Sequence, residues 1–277
     1  MLRDQLLARL REMGGAPDHR RLAAEVLGIR GASPDLARVL VEQALVVEDR
    51  HEAWRRAGER IVAGAPRTPG VYVLRDEGGR ALYVGKAVNL RRRLRAHFAE
   101  RRWRALKPGM ARAYDAEWTE VGSELEALLR EAALIRELQP IVNVQTAPPD
   151  LSARAVPRSL VRDVIVIVPS VEADSAELIG ARVDGGWTIQ RTRRSGADLT
   201  VQAARLERFF TPRFLSSRVR APNVALLAPI VFSWLSGRGE DATRLDPHDV
   251  VSARELRGRL ERLLRDDRLF LERIDQR

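Results

Sequence analysis

The chain has 277 residues, enough for two or three small domains with real cores. Its composition, 45% hydrophobic and 31% charged, is that of a water-soluble globular protein, and 48 Lys+Arg against 38 Asp+Glu leave +10, a balance suited to a polyanionic partner. There is no cysteine, which excludes disulfides and cysteine metal sites, and no apolar run near the roughly 18 residues that span a bilayer. The first residues lack a signal-peptide core. A cytoplasmic protein with no membrane partner is expected.

Residues 1–57 read as a compact helical module. Leu6, Leu7, Leu10 and Met13 space as a first helix stopped by Gly14, and residues 20–27 form a second. Ser33 and Pro34 cap a third that carries Leu36, Val39, Leu40 and Ala44. Residues 45–47 read as a strand, 48–50 as a turn and 51–55 as a return strand. Three short helices and a hairpin suggest a winged-helix-like domain, with a plain helical packing domain as the alternative.

Residues 67–145 form a central module. Strands are predicted over 71–74 and 81–84 around a hairpin turn at 76–79. Asn89 caps a helix to about residue 98, residues 114–119 form a third strand, and Ser123 caps a helix to 138 that Pro140 ends. The order is β-β-α-β-α. After a linker at 146–150, residues 151–277 read as an α+β accessory domain of unknown role. It has strands over 160–168, 176–181 and 187–190, a helix over 199–210, an ambiguous apolar run over 224–235 and an amphipathic helix over 252–264. The fold class is α+β.

Charge is concentrated in residues 91–112, where nine Lys/Arg stand with one acid, Glu100. Arg91, Arg92, Arg95, Arg101, Arg102, Arg104 and Lys107 form a basic surface suited to DNA, and Trp103 among them either stacks on the nucleic acid or packs under its own loop. On a helical wheel Glu131 falls within the apolar stripe of Leu128, Leu134, Ile135 and Leu138, while Glu126, Arg130 and Glu137 gather opposite. An acid there is costly unless paired or bound to metal. One carboxylate is enough for Mg²⁺, which keeps most of its waters; a buried bridge to Arg93 is the other reading. Tyr72 and Tyr83 sit on the two short strands. Lys86 follows Tyr83 closely enough for its ammonium to lower the phenol pKa and favour a phenolate-like base.

The blocks Pro69-Gly70-Val71-Tyr72, Tyr83-Val84-Gly85-Lys86-Ala87, Asn89 through Arg95, Glu126 through Ile135, and Pro140-Ile141-Val142-Asn143 together resemble the GIY-YIG nuclease superfamily in its UvrC-type form. The likeness covers about a quarter of the chain. It implies a metal-dependent DNA endonuclease, structure-specific and acting in repair, with one Mg²⁺ or Mn²⁺. In it Tyr83 would be the general base or orient the attacking water, Tyr72 would support it, and Arg93 would bind the scissile phosphate. Glu131 would be the sole carboxylate on the metal, Asn143 would order the site and Lys86 would assist the tyrosine. The signatures depart mildly, with valine where the family name has isoleucine. No second nuclease of RNase H type, tandem helix-hairpin-helix tail or UvrB-binding helical pair is evident, so a stand-alone nuclease with its own accessory domains is expected. A repair partner for residues 150–277 is possible on this reading. The alternative function is a non-catalytic DNA-binding or adaptor protein that recruits excision-repair partners.

Overall fold

The computed structural model describes residues 2–14, 17–99, 108–143, 156–211, 227–238 and 242–271. The chain opens with three helices, α1 (Leu2–Glu12), α2 (His19–Glu25) and α3 (Pro34–Gly64). Asp18 accepts a hydrogen bond from the Arg21 amide at the start of α2, and Ser33 does the same for Leu36 at the start of α3, ahead of Pro34. Leu6, Leu22, Ala23, Ala37 and Val41 make a small core between them.

The hairpin expected at residues 45–55 is absent: α3 continues through it as one helix of 31 residues, about 46 Å long at 1.5 Å per residue. The reason is legible in retrospect. Residues 48–50 contain no glycine, proline or asparagine to turn the chain, and Arg38–Glu42, Glu52–Arg56 and Arg55–Glu59 are ion pairs at helical i,i+4 spacing. The wing of a winged helix is therefore missing, and α3 runs past residue 57 into the next module. There Trp54 donates its indole N–H to the Met110 carbonyl at 3.1 Å, and Gly58 lets α3 close on the Phe98 ring.

The central module follows the predicted β-β-α-β-α order. It comprises β1 (Gly70–Arg75), β2 (Ala81–Ala87), α4 (Leu90–Ala99), β3 (Asp115–Glu120) and α5 (Glu124–Leu138). The sheet is antiparallel in the order β2-β1-β3. The β1–β2 turn is held by Asp76, whose carboxylate accepts from the Arg80 amide at 2.9 Å, and by Gly79 at φ 79°. The central strand β1 is covered on both faces. Tyr72 and Leu74 face a cluster with Leu90, Leu94, Ile61 and Ala65 under α4 and the end of α3, while Val71 and Val73 face Ala127, Leu134, Ile135 and Leu138 of α5.

The tail carries β4 (Val164–Pro169), β5 (Ser175–Ala181), β6 (Trp187–Arg193), α6 (Leu199–Phe210), α7 (Ala228–Arg238), β7 (Arg244–Leu245), α8 (Ala253–Leu264) and α9 (Arg268–Leu271). Its sheet has the order β6-β5-β4-β7, all pairs antiparallel. Of the ambiguous apolar run, residues 224–226 lie outside the described residues, and from Ala228 on it is helix α7, where Pro229 sits in the first turn and a missing N–H costs nothing. One face of the sheet is covered by α6 and α8 through Leu199, Ala203, Leu206, Leu256, Leu260 and Leu264. The other is covered by α7 and by α5 of the central module.

Helix α5 is thus buried on two sides. Leu125 and Leu129, both fully buried, pack with Val164, Val166, Ile179 and Phe232 of the tail. Glu126, expected on the charged outer side, is buried completely; its carboxylate accepts from the Gly122 amide at 3.1 Å and from Arg130 at 2.8 Å. Gly122 meets the tail directly: a Cβ there would lie 2.1 Å from the Ser170 carbonyl carbon.

Candidate active site

The strand register places the two tyrosines on one side of the sheet. Tyr72 pairs with Gly85 and Leu74 with Tyr83, so the phenols come from adjacent strands two positions out of register, with ring centroids 6.0 Å apart. Gly85 is what makes room for them. A Cβ at that position would lie 2.7 Å from the Tyr72 hydroxyl and 2.7 Å from Cε1 of Tyr83. Gly70 serves the same end at the start of β1, where a Cβ would strike Leu90 Cδ1 at 2.6 Å and the Thr119 carbonyl at 2.7 Å. The two signature glycines are therefore steric requirements of the site's packing rather than turn residues.

Helix α4 covers this side of the sheet. Asn89 accepts from the Arg92 amide at 2.9 Å and fixes the helix start. From that start Leu90 and Leu94 point inward, and His97 follows at the same helical spacing, 4% exposed. The His97 ring hydrogen-bonds the Tyr72 hydroxyl through Nε2, and its centroid stands 5.7 Å from that of Tyr72 and 5.9 Å from that of Tyr83. The sequence reading singles out no histidine, His97 included. The spacing 90-94-97, with Arg93 beside it, was the signal that it faces the tyrosines.

Arg93 lies at the exposed edge of the cluster, with its guanidinium within electrostatic reach of both phenols. Burial pushes both phenol pKa values above their ordinary range, Tyr72 further than Tyr83, and Arg93 only partly opposes it. Besides burial, the groups that act most on Tyr83 are Arg93, Glu131 and Tyr72 rather than Lys86. The Lys86 charge and backbone N–H act on Glu131. On balance these influences favour the neutral phenol over the phenolate at Tyr83. The physical reason is its half-buried position beside another tyrosine, with Arg93 as the cation in reach.

Glu131 is half-buried on α5, flanked by Leu134 and Ile135. Burial raises its pKa, while the Lys86 charge, the Lys86 N–H and Arg93 hold it down. Among the described residues no three His, Cys, Asp or Glu side chains converge. The donor set is one carboxylate at a partly open position, which fits a hard oxygen-seeking ion that retains its waters. Asn143 clips the segment after α5 to β2: its Oδ1 accepts from the Val84 amide at 2.7 Å and its Nδ2 donates to the Val84 carbonyl at 2.9 Å. With the Val142 amide on the Leu82 carbonyl at 2.8 Å, this fixes the strand that carries Tyr83 and Lys86.

The basic residues separate by role. Arg91 is not on a free surface. It donates to the Ala65 carbonyl at 2.6 Å and the Ala63 carbonyl at 3.3 Å, occupying the open C-terminal carbonyls of α3. Arg92 and Arg95 are exposed on α4. Arg101, Arg102, Trp103, Arg104 and Lys107 lie outside the described residues.

Residues 68–144 match the family model of the UvrC-like GIY-YIG domain. The UvrABC system protein C of Syntrophus aciditrophicus is 47% identical over 81 residues, 29% of this chain and 13% of that protein. That of Caldicellulosiruptor saccharolyticus is 34% identical over 138 residues, 47% of this chain and 22% of that protein, so the likeness reaches past the module. The chain spans about a fifth or less of the length of these relatives. The magnesium-bound GIY-YIG N-terminal endonuclease domain of UvrC from Thermotoga maritima is 32% identical; the match covers 31% of this chain and 96% of that one, with a TM-score of 0.29.

Proposed function

We propose that this chain, whose residues 68–144 are a UvrC-like GIY-YIG domain, is a divalent-metal-dependent DNA endonuclease acting in excision repair. One observation carries the reading. Tyr72, Tyr83, Arg93 and His97 converge on the same side of a three-stranded sheet, and Glu131 with Lys86 lies within electrostatic reach of Tyr83 and Arg93.

Glu131 would hold one Mg²⁺ or Mn²⁺, which when bound neutralises phosphoryl charge and acidifies its water. The chain's own groups do the rest. Lys86 and its N–H partly offset the burial that raises the Glu131 pKa, and so favour its ionised form. Arg93, exposed beside the phenols, offers its N–H donors to a non-bridging phosphate oxygen. Tyr83, neutral, orients the attacking water by hydrogen bonding. Tyr72, held by His97, fixes Tyr83 from behind. Asn143 keeps β2 in register with this set. In-line attack with no covalent intermediate is the reaction these parts suit.

Structure-selective cleavage, a division of labour among the N-terminal helices, residues 67–145 and residues 151–277, and a repair partner for the tail belong to the same proposal. The test is a panel of flap, bubble, nicked and plain duplex DNA with the full chain in Mg²⁺ and in EDTA. Metal-dependent cuts favouring one structure support it; no metal-dependent cut on any substrate refutes it.

A further inference from the structure

The two helices on the outer side of the tail carry a charge pattern that the tail's own packing does not use. Helices α6 and α8 lie side by side and antiparallel: Arg257 Nη1 donates to Thr200 Oγ1 at 3.2 Å near one end, and the Ala253 amide donates to Glu207 at 2.9 Å near the other. Their inner faces are aliphatic and fully committed to the sheet. Residues 199–210 and 253–265 together hold seven arginines and three glutamates. One arginine, Arg259, is paired with Glu255 at 3.1 Å. The other six, Arg205, Arg208, Arg254, Arg257, Arg262 and Arg265, are exposed, and none has an acid within ion-pair distance among the described residues. The acids are partly engaged elsewhere, although Glu255 also lies within reach of the Arg262 charge. Glu207 accepts from the Ala253 amide and Glu255 from the Val251 amide as well as from Arg259; Glu261 is half-exposed beside Gly196, which precedes α6.

Outward spacing follows the helix period. Arg205 and Arg208 lie opposite Leu199, Ala203 and Leu206, and Arg254, Arg262 and Arg265 lie opposite Leu256 and Leu260, with Arg257 on the flank between the helices. Guanidinium groups on two adjacent rods present donors in a band. That arrangement fits a regularly spaced line of phosphates better than a single small anion. We propose that the α6/α8 face is a second DNA-backbone contact, separate from α4, which holds duplex on the tail. The inference rests on DNA being the substrate of the central module, since that supplies the polyanion.

The experiment uses the full chain carrying Glu131→Gln, in EDTA, so that binding is read without cleavage. Duplex affinity is measured by fluorescence anisotropy across a salt series. Replacing Arg254, Arg257, Arg262 and Arg265 by Gln is expected to weaken binding at least tenfold at low salt. It should also flatten the log–log salt slope by about 0.9 for each phosphate that is no longer neutralised. Arg205→Gln with Arg208→Gln should flatten it from the other helix, which covers the case in which the fourfold variant fails to fold. A fourfold Gln control at exposed Arg20, Arg30, Arg55 and Arg136 removes the same net charge elsewhere. Unchanged slopes in both α6 and α8 variants overturn the proposal, leaving the face to solvent or an acidic protein. Equal flattening by the control overturns it too, because the effect would then be net charge. A failed nuclease reading would show instead as wild-type protein that never nicks DNA in Mg²⁺.

Discussion

Gly85→Ala is the sharpest test of how the site is built. The substitution adds one methyl group, and its carbon would sit 2.7 Å from the Tyr72 hydroxyl, 2.7 Å from Tyr83 Cε1 and 2.8 Å from Tyr72 Cζ. Ordinary carbon contacts begin at roughly 3.5 Å, so the phenols must move by about 0.8 Å or β2 must bend. Both rings are held: Tyr72 is fully buried and hydrogen-bonded to His97, and β2 is pinned by Asn143 on one edge and by β1 on the other. Overpacking at such a place costs about 1–3 kcal/mol, which for a chain of this size lowers the melting temperature by roughly 2–12 °C. The effect on chemistry should be larger than the effect on stability, because a misplacement near 1 Å at reacting groups costs about 100-fold. Single-turnover nicking of supercoiled plasmid in Mg²⁺, alongside a thermal melt, measures both. A folded Gly85→Ala protein that nicks at the wild-type rate would show that the phenols need not hold this position.

Leu129→Ala removes a fully buried side chain from the cluster that α5 shares with the tail, and a loss of about 2–5 kcal/mol is expected in denaturant unfolding. A loss under about 1 kcal/mol would mean that the tail does not hold this helix. Arg91→Gln should lower the melting temperature through the freed carbonyls of Ala63 and Ala65 while leaving the salt slope of DNA binding unchanged, whereas Arg95→Gln should do the reverse; both are read by melt and anisotropy. Burial pushes Glu126 above its ordinary value, so the folded chain holds that proton more tightly than the unfolded chain. Its stabilising contribution is present below the ordinary glutamate value of about 4.3 and is lost as pH rises through the folded value. The melting temperature of Glu126→Gln relative to wild type should therefore shift in the variant's favour from acid toward neutral pH; a flat difference contradicts the buried assignment.

The parts of the molecule legible in the sequence are those whose signals are local. Ser33, Asn89 and Ser123 mark helix starts that the structure places as expected, and the Asp76–Gly79 turn fixes the first hairpin. What failed depended on partners far along the chain. The run Leu45-Val46-Val47 has strand character by itself, yet it lies within a helix whose later residues pack on Phe98 and Met110. Arg91 reads like its basic neighbours until the carbonyl end of α3 is brought against it. A helical wheel shows one apolar stripe on α5, but the tail supplies a second buried side, and Glu126 is caught there. Lys86 is near Tyr83 along β2, but alternation along the strand turns it toward Glu131. Charge concentrated on α8 looks in sequence like any solvated helix; only the fold sets it beside α6 and the exposed Arg208.

The central proposal is that Glu131, alone among the described carboxylates, ties the divalent ion to the tyrosine–arginine cluster. Glu131→Gln in the full chain, assayed for single-turnover plasmid nicking in Mg²⁺ with duplex affinity measured in parallel, tests it directly. The expected result is cleavage lost to the level of the EDTA control with DNA binding near wild type. Mg²⁺-dependent cleavage retained by the purified variant would contradict it.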